Sequence, residues 1–96
     1  MNQSIIFSDN EQYNINLQQV EFQAQNNGVL ISCVISLSYL QKLNEITNIT
    51  SEQAINIETM ALTLFDNVRF DIEDLAEEMI NQHAFSEDEK IHLHNI

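Results

Sequence analysis

The segment VEFQAQNNGVLISCVI, residues 20–35, has the pattern of a two-stranded β-hairpin. Asn27-Gly28 is the preferred dipeptide of a type I′ turn, because both central residues of that turn need a positive φ. A two-residue loop there gives one apolar face, with Ala24 opposite Ile31, Phe22 opposite Cys33 and Val20 opposite Ile35. The other face is mostly polar and pairs Gln25 with Leu30, Gln23 with Ser32, Glu21 with Val34 and Gln19 with Ser36. A slip of one residue would bring Glu21 and Gln23 into the core, so the pattern specifies the register.

Further strands are predicted on both sides of this hairpin. Residues 4–7 have the composition of a short first strand, whereas residues 8–14 are polar and are predicted to form a turn. Near the end of the chain, Ile91 and Leu93 alternate with His92 and His94. This period of two predicts a final strand at an edge of the sheet.

Helices are predicted between the hairpin and the final strand. The first has a capping-box sequence at residues 38–41, and the second has one at residues 50–53. Apolar residues within residues 57–68 recur at the i, i+3, i+4 spacing of an amphipathic helix. Asn67 is predicted to end that helix in the left-handed conformation.

A third helix is predicted to be capped by Asp71 and to carry an apolar stripe as far as His83. The absence of proline and the single glycine favour one unit over two joined by a linker. We therefore expect one small α+β domain over residues 1–96. Its sheet should be small and mainly antiparallel, a β-hairpin plus edge strands, with two to three helices covering one face.

The charge of the chain limits its partners. Fifteen Asp and Glu residues oppose three Lys and Arg residues, for a net charge of −12. Such a chain repels nucleic-acid phosphates and anionic membranes, so neither is an expected direct partner. The predicted third helix carries four acids on one face: Glu73, Asp74, Glu77 and Glu78. They either keep the protein soluble or form an acidic interaction face for a protein with a basic surface.

Composition also bears on location. The single cysteine, Cys33, excludes an intrachain disulfide and fits a reducing compartment. Residues 1–4 do not begin a secretory signal, and the apolar runs are too short to span a membrane. The expected location is the cytoplasm. One glycine is too few for a glycine-rich phosphate-binding loop, so no nucleotide site is predicted.

The histidines and the cysteine are weak candidates for chemistry. His92 and His94 have the spacing of two metal ligands on one strand, and Cys33, His83 or a nearby carboxylate would have to converge with them. Two solvated histidines on a terminal strand are the more common case, so no metal site, cofactor or catalytic residue is assigned. Cys33 lies on the apolar side of the predicted hairpin, where a cysteine acts as a small apolar residue.

Arg69 is the one arginine of the chain and lies between Phe65 and Phe70. The ordinary interpretation is a local ion pair with Asp66, Asp71 or Glu73 that stabilises the junction between two helices. The functional alternative is an anchor for an anionic ligand.

A set of short motifs resembles a known family of bacterial proteins. The residues that carry the resemblance are Ile5-Ile6-Phe7, Val20-Glu21-Phe22-Gln23-Ala24, Asn27-Gly28, Cys33-Val34-Ile35-Ser36, Phe65, Arg69 and Asp71-Ile72-Glu73. Together they resemble domain of unknown function 1488 over nearly the whole chain. The resemblance implies a small cytoplasmic α+β protein of bacterial origin. It implies no activity, cofactor or catalytic residue.

The leading hypothesis is a non-enzymatic acidic binding or accessory protein, and a homodimer is a second possibility. Two alternatives stay open. One is a metal- or small-molecule-dependent activity that uses His92, His94 and Cys33. The other is mimicry of nucleic acid by the acidic face, which would bind a nucleic-acid-handling protein.

Overall fold

The hairpin lies at the centre of a five-stranded sheet in the computed structural model, which describes residues 5–93. The strands are β1 (Ile5–Phe7), β2 (Gln12–Asn14), β3 (Gln19–Asn26), β4 (Val29–Ser36) and β5 (Ile91–Leu93). The order is β1-β3-β4-β5, and β2 pairs with the first half of β3 on the same side as β1. The β4–β5 pair is parallel and the other pairs are antiparallel.

The register of the hairpin confirms the pattern in the sequence. Phe22 pairs with Cys33 and Val20 with Ile35, as the alternation of apolar and polar residues predicts. Asn27 and Gly28 have φ values of 54° and 83°, the two positive values that a type I′ turn needs.

Four helices follow the hairpin: α1 (Leu37–Leu43), α2 (Ser51–Ile55), α3 (Ile57–Asn67) and α4 (Arg69–Asn81). The predicted second helix is divided into α2 and α3, because the backbone at Asn56 leaves the helical region, at φ −117° and ψ 58°. The predicted capping box at Thr50 is present. No residue of α2 is buried, so α1, α3 and α4 supply the buried helical side chains. The α+β class and the mainly antiparallel sheet are confirmed.

Side chains from the sheet and from these helices form one apolar core. Val20, Ala24, Cys33, Ile35 and Ile91 are fully buried on the sheet side. The rings of Phe22 on β3 and Phe65 on α3 meet edge to face, with centroids 5.1 Å apart. Burial of a large apolar side chain stabilises a fold by about 1.5–3 kcal/mol, so this layer holds the helices on one face of the sheet.

Several predicted helix boundaries are wrong. Ser36, rather than Ser38, caps α1, and its hydroxyl accepts the backbone N–H of Tyr39. Asn67 is not left-handed, and α4 begins directly after Val68, whose φ is −122°. Asp71 is therefore inside the first turn of α4 and does not cap it. The N-terminus of α4 has no side-chain cap, so Asp71 contributes there through its charge.

Two other predictions need correction. The predicted turn at residues 8–14 contains β2, because Tyr13 faces the core opposite Val20 while its neighbours face outward. His83 is not on the apolar stripe of the last helix. It follows the end of α4 with a φ of 57° and is exposed. Within residues 5–93, each helix falls short of the length and hydropathy that a membrane crossing needs.

Candidate functional site

The face of the sheet that points away from the helices carries mostly polar side chains in ordered rows. One row crosses the sheet through Gln12, Glu21, Val34 and His92, which are partners in successive strand pairs. We call this side the outer face. Val34 is only 4% exposed although it lies outside the core cluster.

A cavity of about 270 Å³ opens on the outer face. Six polar side chains line it: Asn10, Gln12, Glu21, Gln23, Ser32 and Lys90. They come from the β1–β2 connection, from three strands and from the residue that precedes β5. The volume corresponds to roughly nine water molecules at ~30 Å³ each, which suits a small metabolite better than a drug-sized ligand.

Among residues 5–93, Glu21 is the one acid that lines this cavity, and its carboxylate is held in place. Asn14 and Gln19 donate to its Oε2 at 3.0 and 2.8 Å. These hydrogen bonds, with a smaller contribution from the charge of Lys90, lower the pKa of Glu21 below its ordinary value. Its Oε1 accepts no hydrogen bond from residues 5–93, so this oxygen remains available to a ligand.

Lys90 is the one cation that the described part of the chain contributes to the cavity lining, and it is half-buried. Among the described residues, its ammonium has no carboxylate within 4.0 Å and no hydrogen-bond acceptor. The amide of Gln23 accepts from Asn10 Nδ2 at 3.2 Å, and its own Nε2 has no acceptor among residues 5–93. The cavity thus combines an unpaired cation, a fixed anion and neutral amide groups.

The predicted acidic residues of α4 divide into two groups. Asp74 and Glu78 are exposed, whereas Glu73 and Glu77 are half-buried. Glu73 lies 4.0 Å from Arg69, and desolvation raises its pKa despite that positive charge. Asp71 is exposed on the same side of the helix as Asp74 and Glu78.

We define the α4 acidic face as Asp71, Asp74, Glu77 and Glu78. Within residues 5–93, no cation lies within 4.0 Å of these four carboxylates. At the N-terminal end of the face, the ring of Phe70 is 78% exposed. An exposed aromatic ring beside unpaired acids is suited to contact with Lys or Arg side chains of a partner, because the ring also attracts cations.

Arg69 is surrounded by carboxylates rather than open to an anionic ligand. Its Nη1 donates to Glu11 Oε1 at 3.3 Å and its Nη2 donates to Glu11 Oε2, which makes a bidentate pair. Nε donates to Asp66 at 3.1 Å, and Asp9 lies 3.6 Å from Nη1. The pair raises the pKa of Arg69 and lowers that of Glu11.

The Arg69 cluster is structural. The guanidinium lies 5.1 Å from the ring centroid of Phe65, in the core, and links the β1–β2 connection to the start of α4. Asp66 and Glu73 were predicted as partners. Asp71 is not a partner, and Glu11 was not foreseen, because it is 58 residues away in the sequence. The four neighbouring carboxylates argue against an anion anchor.

The histidines and Cys33 do not converge within the described residues. His92 pairs with Asp88 at 2.8 Å and so lowers the pKa of Asp88, while His94 lies outside residues 5–93. Burial raises the pKa of the Cys33 thiol to about 12, so the reactive thiolate is rare at neutral pH. Over residues 5–93, no group of three or more His, Cys, Asp or Glu side chains could hold a metal ion.

Sequence reasoning missed the cavity on the outer face. Glu21, Gln23 and Ser32 were expected there only as a polar surface, and Lys90 was not assigned to it. The signal that could have found it is positional. Lys90 directly precedes β5, so pairing of β5 with β4 brings this cation beside Ser32.

Comparison with known proteins tests the resemblance in the sequence. A family model described as a protein of unknown function, DUF1488, matches residues 5–93. The chain belongs to the DUF1488 family. A crystal structure of a DUF1488 protein of unknown function from Shewanella loihica PV-4 is similar over 97% of this chain and 94% of that chain. Sequence identity is 39% and the TM-score is 0.79. No curated protein matches the chain.

Proposed function

We propose that this DUF1488 chain is a non-enzymatic binding protein whose α4 acidic face docks on a basic surface of a partner protein. The observation that carries the proposal is a set of carboxylates, with no cation of residues 5–93 within 4.0 Å, beside the exposed ring of Phe70. Aromatic residues at the centre of an interface supply much of its binding energy, and charges around them steer association.

The cytoplasm is the proposed location. The expectation rests on one buried cysteine and on the absence of long apolar runs in the sequence. There the ionic strength gives a Debye length of about 8 Å, so exposed acids act mainly on charges that come close to them. Binding through the α4 acidic face should therefore weaken as salt rises.

A salt-stepped pull-down with matched charge variants tests the proposal. The face variant carries Asp71→Asn, Asp74→Asn and Glu78→Gln. The control variant carries Glu45→Gln, Glu52→Gln and Glu58→Gln, all at exposed positions outside α4. Each variant changes the net charge by three, from −12 to −9.

The proposal predicts that wild type and control retain the same stoichiometric partner at low salt and release it at moderate salt. The face variant should lose that partner, and Phe70→Ala should weaken it. Equal retention by the face variant and the control would contradict the proposal. Loss from both variants would assign the effect to net charge alone and would also contradict it.

A further inference from the structure

The cavity on the outer face has a charge arrangement that no part of the proposed docking function uses. It lies on the side of the sheet opposite α4, so it can be tested independently of the α4 acidic face. The lining that residues 5–93 supply holds one cation, Lys90, and one anion, Glu21, and the two are not paired within 4.0 Å.

The sheet sets the spacing of these two charges. Glu21 is on β3 and Lys90 precedes β5, so β4 lies between them. Glu21 pairs with Val34, whereas Lys90 lies beside Ser32, two residues away along β4. Two strand spacings of ~4.8 Å and a stagger of ~6.6 Å along the strands separate the two backbones by about 12 Å. Ser32 and Val34 of β4 form the floor between them. A gap of this kind accommodates a small molecule that carries both charges.

The free hydrogen-bonding groups match such a molecule at each end. The ammonium of Lys90 and the hydroxyl of Ser32 have no partner among residues 5–93. Both groups are donors that suit the carboxylate of a ligand. Oε1 of Glu21 has an unused acceptor site that suits an ammonium group. A ligand with only one charge would pair with one of these two groups. It would leave the other group, whose charge has the same sign as that of the ligand, close to it and unpaired.

We propose that the outer-face cavity binds a small zwitterion of the α-amino-acid class, with its carboxylate at Lys90 and Ser32 and its ammonium at Glu21. The amides of Asn10, Gln12 and Gln23 surround the remaining space, so a ligand with a polar side chain is favoured over an apolar one. L-glutamine, with an amide of its own, is the probe we select.

The experiment is a titration of the isotopically labelled full chain with L-glutamine, followed by amide chemical shifts in NMR. Saturable shifts are expected at Ser32, Val34 and Lys90, with none along α4. N-acetyl-L-glutamine lacks the ammonium and L-glutamine amide lacks the carboxylate. Each should bind at least about tenfold more weakly, because each loses one charge-assisted hydrogen-bonded contact.

Matched variants locate the site. Lys90→Gln and Glu21→Gln should each weaken L-glutamine binding by about tenfold or more. The control variants Lys42→Gln and Glu45→Gln make the same charge changes elsewhere, and the affinity for L-glutamine should then be unchanged. Amide spectra of the variants check that each is folded. The proposal is overturned if no saturable shift occurs, if the acetylated probe binds equally well, or if folded Lys90→Gln keeps full affinity.

Discussion

Replacement of Arg69 by methionine should destabilise the fold strongly although Arg69 is near the surface. Methionine has an unbranched apolar side chain that can occupy the space beside the Phe65 ring, and the substitution removes the guanidinium. Its main partner, Glu11, is only 15% exposed in its side chain, and Arg69 itself is 19% exposed. The variant therefore leaves a largely desolvated carboxylate without its partner.

The magnitude follows from the partners that lose a contact. Removal of one member of a fully buried ion pair costs about 3–5 kcal/mol, and an exposed pair contributes about 0–1 kcal/mol. Glu11 is close to the buried case, whereas Asp66 and Asp9, at 71% and 89% exposure, are exposed. We expect a loss of about 2–3 kcal/mol in the free energy of unfolding. For a domain of this size that loss lowers Tm by roughly 10–20 °C.

The dependence on pH separates this explanation from a loss of packing. In the wild type the pKa of Glu11 is lowered, so its contribution to stability is present above its unfolded pKa and is lost as pH falls through its folded pKa. In Arg69→Met, burial of Glu11 and Glu73 without a cation raises both pKa values. At low pH both carboxyl groups are neutral and their burial costs little. As pH rises they ionise without a partner, and the free energy of unfolding falls. The difference between wild type and variant should thus be largest near pH 7 and small near pH 4.

Urea unfolding at several pH values measures these differences, with a double-mutant cycle as the control. Glu11→Gln alone should cost less than Arg69→Met, because it leaves no desolvated carboxylate. The double variant should be more stable than the sum of the two single effects predicts, by about 1–2 kcal/mol. A cost below about 0.5 kcal/mol for Arg69→Met, or a difference that does not vary with pH, would contradict a stabilising role of the Arg69–Glu11 pair.

Three further predictions follow from the core, the turn and the thiol. Phe65→Ala should lower the free energy of unfolding in urea by about 3–5 kcal/mol, whereas Phe70→Ala, at an exposed site, should change it by less than about 0.5 kcal/mol. Similar costs for the two variants would contradict the assigned burial. Gly28→Ala should cost about 1 kcal/mol in the same assay, because its φ of 83° is unfavourable for a residue with a side chain. No atom lies within 4 Å of the added Cβ, so the cost is conformational rather than steric crowding by neighbours. A neutral result would argue against the type I′ turn. Cys33 should resist a thiol reagent at pH 8 in the native protein and react readily in denaturant, because burial raises its pKa to about 12. Fast labelling of the native protein would contradict this burial.

The sequence predicted the hairpin because two independent signals agreed there. Asn27-Gly28 specifies the turn, and the alternation around Phe22 and Cys33 specifies the register. Both signals are local. The boundary between α3 and α4 was less predictable, because Asn67 and Asp71 have the residue types of a stop and a cap but the backbone breaks only at Val68. Packing of both helices on the sheet outweighs those local preferences.

The candidate sites depend on contacts between residues that are distant in the sequence. The acids of α4 could be placed on one helix face from their spacing alone. The link from Glu11 to Arg69 and the cavity between Glu21 and Lys90 require the tertiary fold. Sequence periodicity reports which face of an element a residue occupies, and it does not report which face of another element lies opposite.

Carboxyl footprinting of the protein with its bound partner shows whether the partner docks on the α4 acidic face. Carbodiimide coupling of an amine label modifies exposed carboxylates, and mass spectrometry reports the extent at each one. We expect Asp74 and Glu78 to be protected in the complex, while Glu45 and Glu52 are labelled as in the free chain. Unchanged labelling of Asp74 and Glu78, with protection elsewhere, would contradict docking through the α4 acidic face.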